Sequence, residues 1–298
     1  MRKPPTLFYD ITIMADYLQS TQKCIWTKNS SELESIRNSK QTSDSFSPDE
    51  EVLVVRHYID EIRRVCFSQP VDEKFKHRLF WTAATLYKRF YLGTSVLLTN
   101  PISMVYTSVF VAGKVEEIPM TKQFRGVDVD KLSETLGSRD VVIGNEIKFL
   151  DGIKFHLLLF HPVRPLVGYV SKLKEQQPSF DWIQLQESAI SLLEKSLHYD
   201  YCFTHSPAQL AVAAIMAVLL ESPQDFPITC RDFIKNVLPA PANTELLFEL
   251  ASSVGNLDVD IRRDMDAFKG NSSIQNFAQQ WKSEVESKPS RIEKRKLT

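Results

Sequence analysis

Residues 207–221 read PAQLAVAAIMAVLLE, and residues 101–117 read PISMVYTSVFVAGKVEE. A helix on the surface of a globular protein keeps one polar face, and a helix that is apolar nearly all round belongs inside. Both stretches are of the second kind, so each needs a sheath of other helices. Both also open on a capping residue followed by proline, Asn100-Pro101 and Ser206-Pro207, which satisfies a free N–H and presets φ for the first turn. Each follows an amphipathic segment that ends in aromatics, LYKRFYL (86–92) and LHYDYCF (197–203). The two sets lie about a hundred residues apart, the footprint of a duplicated helical domain. A single larger α-domain with two unrelated buried helices is the alternative that pattern alone leaves open.

Working outward, Ser47-Pro48-Asp49-Glu50 offers an N-cap hydroxyl, Pro at the first helical position and Glu three residues after the cap, a capping box. It predicts a helix over 48–67. Apolar spacing predicts further helices near 73–92, 100–117, 139–151, 163–177, 181–200, 206–221, 229–238 and 243–265. No alternating strand with an Asn-Gly or Asp-Gly turn is present, so the chain reads as all-α. Ahead of these, Thr27–Ser47 holds nine Ser/Thr and reads as a short helix followed by a linker. Segments 14–37 and 274–285 each carry one apolar face and are expected to pack outside the bundles. Lys282–Thr298, with six basic residues against three acidic, is expected to be a solvated, disordered tail. Residues 1–13 stand ahead of Met14, whose MADYLQS reads as an alternative start.

Composition removes several function classes. Glycine is 9 of 298 residues, less than half of the ~7% in average usage, which argues against glycine-rich nucleotide-binding folds. Lys+Arg (36) balances Asp+Glu (37), so no net field draws the chain to nucleic acid or an anionic membrane. No apolar run reaches the ~18 uncharged residues of a membrane span, and the first residues lack the apolar core of a secretory signal. Cys24, Cys66, Cys202 and Cys230 are scattered, as reduced thiols are. There is no phosphate-cradling glycine loop, no paired-histidine metal motif and no nucleophile elbow, so neither a cofactor nor a metal is expected. Two acidic runs, Asp128-Val-Asp130 and Asp258-Val-Asp260, invite comparison with all-helical Mg²⁺ enzymes. Carboxylates two apart on a helix point to different faces, however, which makes these runs solvated helix ends.

Two charged residues stand out for binding. Lys114 follows Ala112-Gly113 at the end of an apolar helix, and Glu146 borders the stripe Ile143/Ile147/Leu150. Lys114 is either a cation favouring a helix C-terminus or, with Glu146, half of a pair that grips a docking helix where small residues allow close approach.

LYKRFYLGTSV (86–96), VFVAGKVEE (109–117), NEIKFLDGIKFHLLLFHPVRPLVGYV (145–170) and SPAQLAVAAI (206–215) together resemble the cyclin family, and within it the cyclins of CDK-activating kinases. QKCIWTKNSSELESIR (22–37) is similar to the N-terminal helix of that branch. The resemblance runs over roughly 22–265. It implies an all-α fold of two tandem five-helix cyclin boxes, 48–160 and 161–265, after an extension over 1–47 and before a helix and basic tail over 266–298. It implies a non-catalytic subunit that binds a cyclin-dependent kinase and holds its αC helix inward. The family's Lys and Glu contact pair falls on Lys114 and Glu146, with Val109, Phe110, Glu117 and Phe149, and the neighbouring Phe90 and Ala112, as the surrounding contacts. It further implies a third assembly subunit, a general transcription and repair factor, the RNA polymerase II tail as substrate, and the nucleus. Cell-cycle cyclins recruit substrates through a Met-Arg-x-Ile-Leu patch; here Asp49-Glu50-Glu51-Val52-Leu53 stands there, so that route is not expected. A cyclin-fold factor binding promoter DNA would need a basic face and usually a zinc ribbon, and a helical Mg²⁺ enzyme convergent carboxylates. The sequence offers neither.

Overall fold

Asn100 accepts the amides of Ile102 and Ser103 at 2.9 and 3.3 Å, and Pro101 takes the first helical position, so helix Pro101–Val115 starts where the capping chemistry places it. Ser206 and Gln209 form the reciprocal capping box that opens helix Pro207–Glu221. Both helices are buried along nearly their whole length. In the computed structural model, residues 17–40, 46–118, 139–238 and 243–286 are described.

Helix 101–115 is surrounded by helices Pro48–Ser68, Glu73–Gly93 and Arg139–Gly152. Helix 207–221 is surrounded by Val163–Gln176, Ile183–Ser196, Cys230–Val237 and Thr244–Gly255. The architecture is all-helical, with no strand among the described residues, as expected.

Polar contacts tie together the two bundles, their connection and the N-terminal segment. The buried Lys88 ammonium donates to the carbonyls of Leu197, at 3.0 Å, and Tyr199. Arg89 donates to the His156 carbonyl at 2.7 Å; burial pulls its guanidinium down to about 10, still charged at neutral pH. Arg37 grips Asp200 through two bonds of 2.9 and 2.8 Å.

Both flanking segments pack outside the bundles. Trp26 and Leu33, from the N-terminal segment, close over Leu92 and Phe203 in a small separate core. Gln22 pairs with the backbone of Phe160 in both directions, so this segment runs along the connection between the bundles. At the other end, Ile274, Phe277 and Trp281 of helix Ser272–Glu286 pack onto the main core, and Phe46 meets Phe277 edge-on at 5.0 Å.

Three expectations are corrected. The helix predicted over 243–265 is two helices, Thr244–Gly255 and Leu257–Gly270, turning at Asn256. The first lies on helix 207–221 and the second on helix 48–68, two surfaces that one straight helix does not reach. The helix predicted over 181–200 ends at Ser196, because the following carbonyls turn toward Lys88. The tail expected to begin at Lys282 is helical through Glu286, seated by Phe277 and Trp281; positions 287–298 lie outside the described residues, as do 1–13, Met14, Asp128 and Asp130.

Gly152 ends helix 139–152 directly beneath Phe90, whose ring stacks on Phe149 with centroids 5.3 Å apart. A Cβ there would stand 2.5 Å from Phe90 Cδ2. Gly152→Ala should therefore lower unfolding stability by about 1–3 kcal/mol through overpacking, measured by urea denaturation; an unchanged midpoint would mean that the ring swings aside freely.

Candidate functional site

Lys114 sits in the last turn of helix 101–115, where a cation meets the unsatisfied carbonyls of the helix end. Helix 139–152 crosses beside it and presents Glu146. The two side chains meet directly, Lys114 Nζ to Glu146 Oε1 at 2.6 Å, with 51% and 19% of their surfaces exposed. The Lys114 ammonium also lies 4.2 Å from the centre of the half-buried Phe110 ring, a cation–π contact that steadies the flexible stem. Glu117, exposed two residues past the helix, takes a left-handed φ of 47°, and its N–H closes on the Lys114 carbonyl at 3.2 Å. Lys114, Phe110, Glu117 and Glu146 thus gather at one helix end.

Val109 and Phe149 do not join them. Both are fully buried, Phe149 under the Phe90 ring, and Phe90 and Ala112 are buried as well. They support the surface from beneath and leave the set of residues that a partner would touch. The reason is helical phase: Val142 and Phe149 share the core face of helix 139–152, whereas Ile143 and Ile147 stand toward solvent beside Glu146. Ile143 is 41% exposed, Ile147 68%, and Phe155, just past the helix, 58%. Phe155 is carried outward by two successive left-handed residues, Lys154 at φ 55° and Phe155 at φ 56°. Only glycine, asparagine and aspartate adopt that conformation readily, so the bend is strained. Sequence reading placed Ile143 and Ile147 on the buried stripe and passed over Phe155. Counting seven-residue repeats from Val142 through Phe149 would have separated the two faces.

Beneath the exposed residues lies a buried charge cluster. Glu116 Oε2 accepts from Arg78 Nε and Nη2 at 2.9 and 2.5 Å, and Oε1 accepts from the Thr82 hydroxyl and lies 3.0 Å from His161 Nε2. Burial alone would raise the Glu116 carboxyl. Hydrogen bonding and charge from His161, with the bonds from Thr82 and Arg78, outweigh it and hold the group at about 2.

Three aspartates of the second acidic run enter ion pairs. Asp258 meets Lys195 at 2.7 Å, Asp260 meets Arg263 at 3.1 Å, and Asp264 meets Arg56 at 2.7 Å. No group of three or more His, Cys, Asp or Glu side chains among the described residues is placed to hold a metal ion. No helix among them is long and apolar enough to cross a membrane.

The depressed Glu116 pKa carries a linkage consequence. A carboxylate lowered from 4.5 to about 2 contributes stability that is fully present above pH 4.5 and is lost as pH falls through about 2. The stability advantage of the wild type over Glu116→Gln should be flat above pH 5 and shrink between pH 4.5 and 2, read from urea midpoints along a pH series. A constant difference down to pH 2 would show that the carboxylate is not depressed.

The comparisons with known proteins agree with this architecture. No protein-family model matches the chain. Cyclin-H of Xenopus laevis is 29% identical over 179 residues, covering 58% of this chain and 54% of the frog protein, so the match spans just over half of that relative's length. Among solved structures, a chain of the CAK complex from Chaetomium thermophilum bound to ATP-gamma-S superposes with a TM-score of 0.66 at 20% identity, covering 94% of this chain and 91% of that one. A chain of the yeast TFIIK (Kin28/Ccl1/Tfb3) complex gives 0.63 at 21% identity, covering 81% and 99%. In sequence the chain is thus similar to cyclin-H proteins, and its all-helical fold is that of the cyclin-containing CAK and TFIIK complex chains it superposes on.

Proposed function

We propose that this chain is the regulatory subunit of a cyclin-dependent kinase, and that the kinase docks on the surface carrying Lys114, Glu146, Phe110 and Glu117. The observation that carries the reading is the exposed apolar strip Ile143, Ile147 and Phe155 beside a lysine–carboxylate pair. Several large apolar side chains exposed close together on a monomer, rimmed by polar groups, mark a contact surface. An amphipathic helix laid on it would bury its own apolar side while the charged pair sets its register. The kinase's αC helix is such an element, and holding it inward aligns the kinase's Lys–Glu pair and metal-binding aspartate. Catalysis then belongs to the kinase, and this chain supplies no reacting group.

The likeness to cyclin-H, and to chains of complexes named CAK and TFIIK, supports a finer assignment. The chain would serve the CDK-activating kinase within the general transcription and repair factor, acting in the nucleus on kinase activation loops and the RNA polymerase II tail. The yeast complex holds three components, Kin28, Ccl1 and Tfb3, which supports a third assembly subunit here as well. On this reading the first cyclin box, 48–160, carries the docking surface, and the second, 161–265, braces it.

Lys114→Ala should weaken binding to the kinase that co-purifies with the chain by about thirty-fold or more, the usual cost of truncating one side of a shielded charged contact. Its melting temperature should hardly move, since a half-exposed ion pair stabilises a fold by about 0.2–1 kcal/mol. Ile147→Asp should weaken binding similarly at no cost in stability. Wild-type affinity in both variants, measured by titration calorimetry, would end the reading.

A further inference from the structure

Glu116 lies two residues beyond Lys114, and its N–H closes the last turn of that helix on the Ala112 carbonyl at 2.9 Å. Its carboxylate is held from two directions. Arg78 and Thr82 reach it from helix 73–93, within the same bundle. His161 reaches it from the opposite side, as the last residue before Pro162 and helix 163–176 of the other bundle. Thr82 Oγ1 also lies 3.1 Å from the same His161 nitrogen, so the three groups close a triangle. His161 is 8% exposed, and its second ring nitrogen, Nδ1, is buried with no hydrogen-bond partner. An unpaired buried polar atom is destabilising, and such an exception asks for an explanation. Packing alone would favour an apolar ring here. What the imidazole adds is the single contact to Glu116 and Thr82.

Other polar contacts across the bundle seam attach to other elements. Arg63 and His77 meet Glu194, Asp60 meets His198 and Lys88 meets the Leu197 carbonyl, on helix 183–196 or the turn after it, and Arg56 meets Asp264 on helix 257–270. The Glu116 cluster instead ties the end of the Lys114 helix to the start of the second bundle.

We propose that Glu116 and His161 are positioning residues, a buried latch that fixes Lys114 relative to the second bundle and so presets the docking surface for its partner. The inference rests on the kinase-docking reading of Lys114 and Glu146. Neither Glu116 nor His161 touches the partner; each acts through the helix end. Loss of the latch lets the 114–118 turn and the 156–162 connection move independently, and the partner must then order them on binding.

The test uses the full chain, free and with the kinase that co-purifies with it. Arg78 is 43% exposed, so in Glu116→Gln the freed guanidinium finds water and the fold survives. Amide exchange in the free Glu116→Gln chain should quicken at least tenfold at 114–118 and 156–162, with helix 207–221 still protected. Kinase affinity should fall about tenfold, and the further effect of Lys114→Ala should be smaller in this background than in the wild type. His161→Gln, which keeps an N–H donor facing Glu116, should retain most of the protection and affinity; His161→Ala should lose both. If Glu116→Gln and His161→Ala leave exchange and affinity unchanged while Lys114→Ala still abolishes binding, the latch is wrong and the docking surface stands. Wild-type affinity in both Lys114→Ala and Ile147→Asp overturns the docking reading and the latch with it.

Discussion

Two helices without a polar face are the constraint from which the rest of this structure follows. Neither 101–115 nor 207–221 is stable in water by itself; each fully buried Val, Leu, Ile, Phe or Met side chain contributes about 1.5–3 kcal/mol only when surrounding helices exclude solvent. The sheath must therefore form around each core helix, which makes two bundles. Amphipathic helices supply it, and their outer faces are free to vary. The proposed docking surface accordingly lies where a core helix ends and the polar chain emerges, at Lys114 to Glu117.

Joining the two bundles raises a different problem, since the carbonyls that follow helix 183–196 lie at the seam, away from water. Lys88 answers it by donating to Leu197 and Tyr199, and Asp200, just beyond, receives Arg37. Burial by itself would raise the Asp200 carboxyl; the charges of Lys88 and Arg37 hold it below the ordinary aspartate value, so it stays ionised and keeps the cations in place. Breaking a buried pair of this kind strands a charge, which is far more costly than an apolar replacement. The N-terminal segment covers the same junction with Trp26 and Leu33, so it completes the seam where a polar end would otherwise remain exposed.

What could be read in advance follows from how local each determinant is. The caps at Asn100, Ser47 and Ser206 lie within four residues of what they control, and those helix starts fall where the sequence places them. The break at Asn256 was signalled by Gly255-Asn256, yet apolar spacing continues across it, and only the need to reach helix 48–68 decides the turn. At the site, spacing alone put Glu146 beside an apolar stripe but not on which side of the helix that stripe faces. Val109 and Phe149 were carried over as contacts because a motif match does not report burial. The Glu116 cluster was illegible, since Arg78, Thr82 and His161 are brought together by the fold from positions 34 to 45 residues away from it in sequence.

The preformed Lys114–Glu146 pair bears on how affinity and specificity divide. A partner that takes either charge must open the pair, and because Lys114 is half exposed the loss is only about 0.2–1 kcal/mol. Replacing it with a shielded contact to a helix end regains more than that. The exchange is therefore favourable but small, and it cannot hold two proteins together. The apolar strip can: Ile143, Ile147 and Phe155 start largely in water, and burying each contributes up to about 1.5–3 kcal/mol, less the cost of association. On the proposed docking, most of the affinity would come from the three apolar side chains, whereas the charged pair would penalise helices that lack complementary ends. A surface with the strip but without the pair would bind its partner more weakly and discriminate less, and one with the pair but without the strip would hardly bind at all.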